Sequence, residues 1–111
     1  MIQQIVITLQ VEGLHHWPGC DIPEVNFLNF PHRHVFWVKA WKEVSHADRD
    51  IEFILLKREM QAWLSQRKTP QGVDFGPKSC EMIAEMLIDK FNLAACEVLE
   101  DNENGAYLIK E

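Results

Sequence analysis

Residues 2–12 read IQQIVITLQVE, a run in which apolar and polar side chains alternate. Alternation with a period of two is typical of a strand that has one buried and one solvent-facing side. The buried side would carry Ile5, Ile7, Leu9 and Val11. A second strand is predicted over residues 32–44, HRHVFWVKAWKEV, because Val, Phe and Trp favour strands. Residues 17–31 are rich in Pro, Gly and Asn and are predicted to form the loop between the two strands.

Two helices are predicted in the middle of the chain. The first begins near Asp50, a plausible N-cap, and its apolar stripe recurs at steps of three and four residues: Phe53, Leu56, Met60, Trp63 and Leu64. The run TPQG at residues 69–72 ends that element. Ser79 is a candidate N-cap for the second helix, which Asn92 would end.

Two short strands are predicted at the end of the chain, over residues 95–100 and 106–110. Asn and Gly residues between them tolerate the positive φ that a tight hairpin requires. The order strand, strand, helix, helix, strand, strand predicts an α+β fold: a four-stranded antiparallel sheet with two helices on one face. No linker or repeat interrupts residues 1–111, so we expect one domain. The exposed edges of such a sheet favour assembly into a homo-oligomer.

Composition excludes several classes of protein. The net charge of −6 and the scattered basic residues argue against a nucleic-acid partner. No stretch approaches the roughly 20 apolar residues of a membrane helix, and residues 1–13 do not resemble a signal peptide. Three cysteines without CxxC spacing suit a reducing compartment. We therefore expect a cytoplasmic protein that interacts with neither nucleic acid nor membrane.

The clearest chemical feature is the pair His32 and His34 at the start of the second strand. Side chains at positions i and i+2 of a strand point to the same face, and imidazole is a common zinc ligand. If the first two strands pair as a hairpin, His15 or His16 would lie beside this pair. Three histidines leave one coordination position open, as in catalytic zinc sites. The alternative is that these residues are polar side chains at strand ends.

Five segments, in order along the chain, resemble motifs of the 6-pyruvoyl-tetrahydropterin synthase and 6-carboxytetrahydropterin synthase family, which has the tunnelling fold. They are LHHWP (14–18), HRHVF (32–36), EFILLK (52–57), PKSCE (77–81) and VLED (98–101). The resemblance implies that His15, His32 and His34 bind zinc and that Glu100 anchors the guanidine-like edge of a pterin. It also implies ligand contacts for Ser79 and Glu81, which open the second helix. Family members form ring-like oligomers, commonly hexamers, with binding sites between subunits.

The alternative is that these three residues have structural roles and contact no ligand. Ser79 would serve as a helix cap, Glu81 would interact favourably with the helix dipole, and Glu100 would be a solvated charge. Trp17 would pack at an interface, or it would stack on a flat heterocycle.

The chain departs from the family at the catalytic positions. The family's cysteine lies a few residues before its H-x-H motif, whereas Cys20 lies twelve residues before His32. The family's Asp-His pair falls near residues 73–75, where Asp74 is followed by Phe75. The candidate catalytic residues are therefore Cys20, Asp74 and His16, which would replace the missing general base.

The histidines and the family resemblance together imply two principal functions. One is a zinc-dependent, pterin synthase-like protein that binds a pterin- or purine-like heterocycle at a subunit interface and acts as a lyase on a pterin side chain. The alternative is a non-catalytic module that sequesters a heterocyclic metabolite or a nucleotide-like signal. A third is a structural interaction domain whose histidines bind nothing.

Overall fold

The computed structural model describes residues 1–111, which form six strands and two α-helices. The strands are β1 (Gln3–His15), β2 (His32–Val44), β3 (Lys68–Thr69), β4 (Gly72–Asp74), β5 (Ala95–Glu100) and β6 (Asn104–Ile109). The helices are α1 (Phe53–Ser65) and α2 (Cys80–Phe91), and a 3-10 segment spans Pro23–Asn29. The mixed α+β class predicted from the sequence is confirmed.

A long antiparallel ribbon of β1 and β2 dominates the sheet. The ribbon is in register from Gln3 opposite Val44 to His15 opposite His32. In β1 the predicted inward positions Ile7, Leu9 and Val11 are buried, while the residues between them are exposed. The ribbon therefore ends at the loop formed by residues 16–31, and its last pair consists of two histidines.

The sheet is larger than predicted. Its six strands lie in the order β3-β4-β1-β2-β5-β6, and the four predicted strands form its continuous antiparallel part. Strands β3 and β4 add a small hairpin at one edge, and β4 runs parallel to β1. These strands have two and three residues, too few for an alternating pattern to be recognised. The TPQG segment is the turn of this hairpin, since α1 has already ended at Ser65.

Both helices pack on the sheet face that carries the buried residues of β1 and β2. Leu56, Met60 and Leu64 of α1 and Ile83 and Leu87 of α2 enter one core with those strands. The core lies between the helices and the ribbon and so fixes the position of the ribbon's histidine end. Neither α1 nor α2 has the length and apolar character that crossing a bilayer would require.

The helix starts agree with the predictions in one case and differ in the other. Ser79 caps α2, because its hydroxyl accepts a hydrogen bond from the Met82 N–H at 3.2 Å. The prediction that Asp50 caps α1 was wrong. Glu52 is the N-cap, and its carboxylate accepts from the Ile54 N–H, whereas Asp50 accepts from the N–H and hydroxyl of Ser45 at 2.8 and 2.9 Å. The cap is thus a carboxylate two residues later in the chain than the predicted one.

Candidate metal centre

The ribbon brings three histidines together at its loop end. His15 of β1 lies directly opposite His32 of β2, and His34 follows on the same side of β2. The ring centroids are 4.6 Å apart for His15 and His32, 5.4 Å for His15 and His34, and 5.0 Å for His32 and His34. The structure thus selects His15 over its neighbour His16 as the third member of the cluster.

A carboxylate completes this cluster. Glu100 ends β5, and its Oε2 lies 2.8 Å from Nε2 of His15 and 3.6 Å from Nε2 of His34. One candidate ligand atom from each of His15, His32, His34 and Glu100 lies within 4.8 Å of all the others. Glu100, which the resemblance implies as an anchor for a pterin ring, lies beside the histidines in the structure.

Each imidazole is held at Nδ1 by an acceptor outside the cluster. His15 Nδ1 donates to the Lys78 carbonyl at 2.9 Å, and His32 Nδ1 donates to the Phe30 carbonyl at 2.9 Å. His34 Nδ1 donates to Oδ2 of Asp101 at 2.8 Å. Because carbonyl and carboxylate oxygens only accept, the proton of each neutral ring lies on Nδ1 and the Nε2 lone pair is free.

The free lone pairs are buried and unpaired. Nε2 of His15 and Nε2 of His32 are shielded from solvent and have no hydrogen-bond partner. In this tautomer the 2.8 Å contact between His15 Nε2 and Glu100 Oε2 joins two acceptors, which repel unless a cation lies between them. Burial, the largest cause, lowers the pKa of His15 and opposes its protonation. A metal ion bound by three imidazoles and one carboxylate fits this arrangement.

Two phenylalanines, Phe36 and Phe75, pack beneath the histidine rings. His15 and His34 make T-shaped contacts with Phe36, with ring centroids 5.1 and 5.7 Å apart, and Phe36 in turn packs on Phe75 at 5.0 Å. Gly13 leaves room for this stack, since a Cβ there would lie 2.8 Å from the Phe75 ring and 3.1 Å from the Phe36 ring. Phe75, which follows Asp74, is thus a buried packing residue.

A cleft of about 590 Å³ opens beside the cluster. His15, His32 and Glu100 form part of its wall, and the other predicted site residues on it are His16, Ser79 and Glu81. Trp17 also lines it and is 47% exposed. A larger groove of about 900 Å³ lies between the start of α1 and the end of α2 and contains none of these residues.

Two predicted catalytic residues do not line this cleft. Cys20 is buried in the loop, where its thiol donates to the Val25 carbonyl at 3.6 Å. Asp74 is exposed, and its Oδ1 accepts from the Gly76 N–H at 2.9 Å in a local turn. The structure therefore does not bring Cys20 or Asp74 together with the histidines, and their catalytic roles stay predictions.

The groups that orient the histidines were not predicted from the sequence. The carbonyls of Lys78 and Phe30 carry no sequence signal, because every residue has a carbonyl and only the fold selects these two. Asp101 did carry a signal, since it follows Glu100 at the end of a predicted strand. It was predicted as the last residue of the VLED segment, with no contact to a histidine. Cys80 also lines the cleft, and burial raises the pKa of its thiol to about 12.

No protein-family model matches the chain, and no curated protein matches it either. The resemblance to the pterin synthase motifs therefore stays a prediction from the sequence.

Proposed function

We propose that the chain binds a zinc ion through Nε2 of His15, His32 and His34 and takes a flat, pterin- or purine-like heterocycle in the adjoining cleft. The observation that carries the proposal is that the three histidines and Glu100 place one ligand atom each within 4.8 Å of one another. Two of the three Nε2 atoms, those of His15 and His32, are buried and have no hydrogen-bond partner. Such groups are costly to bury without a cation.

The donor set favours zinc among the common metals. Imidazole suits zinc and other late transition metals, whereas magnesium and calcium prefer sites made of oxygen ligands. Three histidine ligands leave a fourth coordination position open beside Glu100, as in a catalytic site rather than a structural one. When bound, zinc would polarise a carbonyl or hydroxyl of a ligand.

The wall of the cleft suits a planar ring with N–H groups on its edge. The half-exposed Trp17 offers an aromatic face for stacking. The carboxylates of Glu81 and Glu100 would accept hydrogen bonds from amino or ring N–H groups.

A lyase reaction on the ring's side chain would need a residue that moves a proton beside the metal. His16 is the candidate on the cleft wall. The position of Cys20 and Asp74 away from that wall favours the second candidate function, a module that binds the heterocycle without changing it.

We also propose that the chain assembles into a ring of identical subunits. Strand β3 pairs only with β4, and β6 pairs only with β5, so both edges of the sheet are free to pair with another copy. Analytical ultracentrifugation should show a species several times heavier than the 13.0 kDa chain. A monomer at high concentration would contradict this assembly.

Metal analysis of protein purified without a histidine tag tests the site. We expect about one zinc per chain, and we expect none in a His32→Ala, His34→Ala variant. His46→Ala is the matched control, because His46 lies in an exposed loop and contacts Asp50 rather than the cluster. Full zinc content in the double variant would contradict the proposed ligands.

Incubation with dihydroneopterin triphosphate separates the lyase from the binding module. Turnover that requires zinc and is lost in His16→Ala, with zinc content unchanged, would support the lyase. Binding of the intact compound without turnover over hours would leave the binding module as the function.

A further inference from the structure

Two consecutive carboxylates bracket the imidazole of His34. Oε2 of Glu100 lies 3.6 Å from Nε2 of His34, and Oδ2 of Asp101 lies 2.8 Å from Nδ1. Adjacent side chains on a regular strand point to opposite faces, so this arrangement needs a local change of backbone direction.

The backbone at Asp101 supplies that change. Its φ is +54°, in the left-handed region that residues other than glycine seldom adopt. Its N–H donates to the Val35 carbonyl at 2.8 Å, and its Oδ1 accepts from the Val35 N–H at 3.0 Å. Main chain and side chain thus fix Asp101 to the residue that follows His34, and both carboxylate oxygens are engaged.

We propose that Asp101 is a positioning residue of the metal centre. It keeps the proton of His34 on Nδ1, aims the Nε2 lone pair at the metal position and thereby sets the metal affinity. This inference rests on the proposed function, because it concerns how strongly the same site binds zinc.

Asp101 differs from the other two orienting groups in its charge. Lys78 and Phe30 offer neutral carbonyls, whereas Asp101 offers a carboxylate. A carboxylate that accepts a hydrogen bond from an imidazole increases the basicity of that ring, so His34 binds a metal more strongly. Together with Glu100 it also places two negative charges at the site, which balance the charge of a divalent cation.

The first test measures zinc affinity by competition with a chromophoric chelator. Asp101→Ala should bind zinc roughly 10- to 100-fold more weakly than the wild-type chain, the usual effect of removing such a partner. Asn102→Ala is the matched control, because Asn102 lies in the same turn with φ of +58° and makes no side-chain hydrogen bond to His34. The control should bind zinc nearly as the wild type does.

A double-mutant cycle separates positioning from general support of the fold. In a His34→Ala background the Asp101→Ala change should cost no further zinc affinity, because the group on which Asp101 acts is gone. An equal, additive loss in that background would overturn the inference. Nitrogen NMR of the metal-free protein gives a second readout: the His34 proton should be on Nδ1 in the wild type and divided between both nitrogens in Asp101→Ala.

If Asp101→Ala does not fold, Asp101→Asn replaces it. In Asn one of the two oxygens that accept from His34 Nδ1 and from the Val35 N–H becomes an NH2 donor, and the charge is lost, so zinc binding should again weaken. Wild-type affinity in a folded Asp101 variant would overturn the positioning role and leave the zinc site intact. A wild-type chain that binds no zinc would instead overturn the proposed function, and this inference with it.

Discussion

His15 is the buried polar residue of the structure, at 7% exposure. Its ring lies between the Lys78 carbonyl and Glu100, with His32 and His34 close by. Burial lowers its pKa most strongly, the Lys78 and Glu100 contacts oppose that shift, and the neighbouring histidines add to it. Burial thus favours the neutral ring of His15, which is the form of imidazole that binds a metal.

The lowered pKa of His15 predicts how the metal-free protein responds to acid. The unfolded chain takes up a proton as pH falls through about 6.5, the ordinary histidine value, while the folded chain resists it. The free energy of unfolding should therefore be highest above pH 6.5 and should decrease below it. Asp50 and Asp101, whose pKa values are lowered from 3.8, titrate below this window.

Urea unfolding in EDTA at pH 7.5, 6.5 and 5.5 measures this decrease. His15→Gln should reduce the dependence on pH, whereas His46→Gln, in an exposed loop, should not. An unchanged dependence in His15→Gln would show that His15 is not the group responsible.

The buried thiols give a second residue-level prediction. Burial raises the pKa of Cys80 and of Cys96 to about 12, so roughly one thiol in 10⁴ is ionised at pH 8. Both should react with Ellman's reagent very slowly in the folded protein and rapidly in guanidinium chloride. Fast reaction that disappears in Cys80→Ser would show that the cleft admits the reagent to this thiol.

Residue types and spacing were enough to predict the pair His32 and His34, because the strand period aligns them, but they left His15 and His16 as alternatives for the third histidine. They were not enough to predict the roles of Glu100 and Asp101. Those roles depend on the pairing of β5 with β2 and on a left-handed residue after the strand, which are tertiary features.

At the scale of elements, β1 needs a residue without a side chain at position 13. Gly13→Ala would place a methyl group against the rings of Phe36 and Phe75 and should lower the free energy of unfolding by about 1–3 kcal/mol. Thermal unfolding measures the loss. Adding Phe75→Leu to this variant should restore part of the lost stability, because it removes the ring nearest to the new methyl group. If stability is not restored, the Phe75 ring is not the source of the strain.

A substitution of Ser79 at the start of α2 distinguishes a capping role from a role in ligand binding. Ser79→Ala removes the hydrogen bond to the Met82 N–H and should cost about 1 kcal/mol of stability without changing zinc content. Ser65→Ala is the control, because the Ser65 hydroxyl donates to the Gln61 carbonyl within α1 and caps no helix start. Loss of heterocycle binding in a stable Ser79→Ala protein would assign Ser79 to the ligand.

The longer elements were predicted well because each repeats its pattern over many residues. Alternation over the 13 residues of β1 defines that strand, and an apolar stripe over the 13 residues of α1 defines that helix. Strands β3 and β4 exist because the chain between the helices returns alongside β1, where Gly72 approaches the Glu12 carbonyl closely. That approach depends on three-dimensional packing rather than on a local pattern.

At the scale of the whole molecule, a metal at the cluster would connect β1, β2 and β5. A ligand that binds only the folded state stabilises it by about 4.1 kcal/mol at a concentration 1,000 times its dissociation constant. We therefore expect zinc to raise the unfolding temperature in calorimetry and EDTA to reverse the change. The His32→Ala, His34→Ala variant should show no such rise, and an equal rise there would place the zinc elsewhere.

Because His15 pairs with His32, the histidine cluster forms only when β1 and β2 are aligned in the correct register, so its formation reports on that register during refolding. A slip of one residue would put His15 opposite Arg33 and turn the side chains of β1 to the other side of the ribbon. The three imidazoles would then no longer converge. The visible absorbance of cobalt bound at this site should therefore develop only in molecules whose ribbon has aligned correctly. Followed beside the far-ultraviolet signal of the helices, it would time strand alignment separately from helix formation.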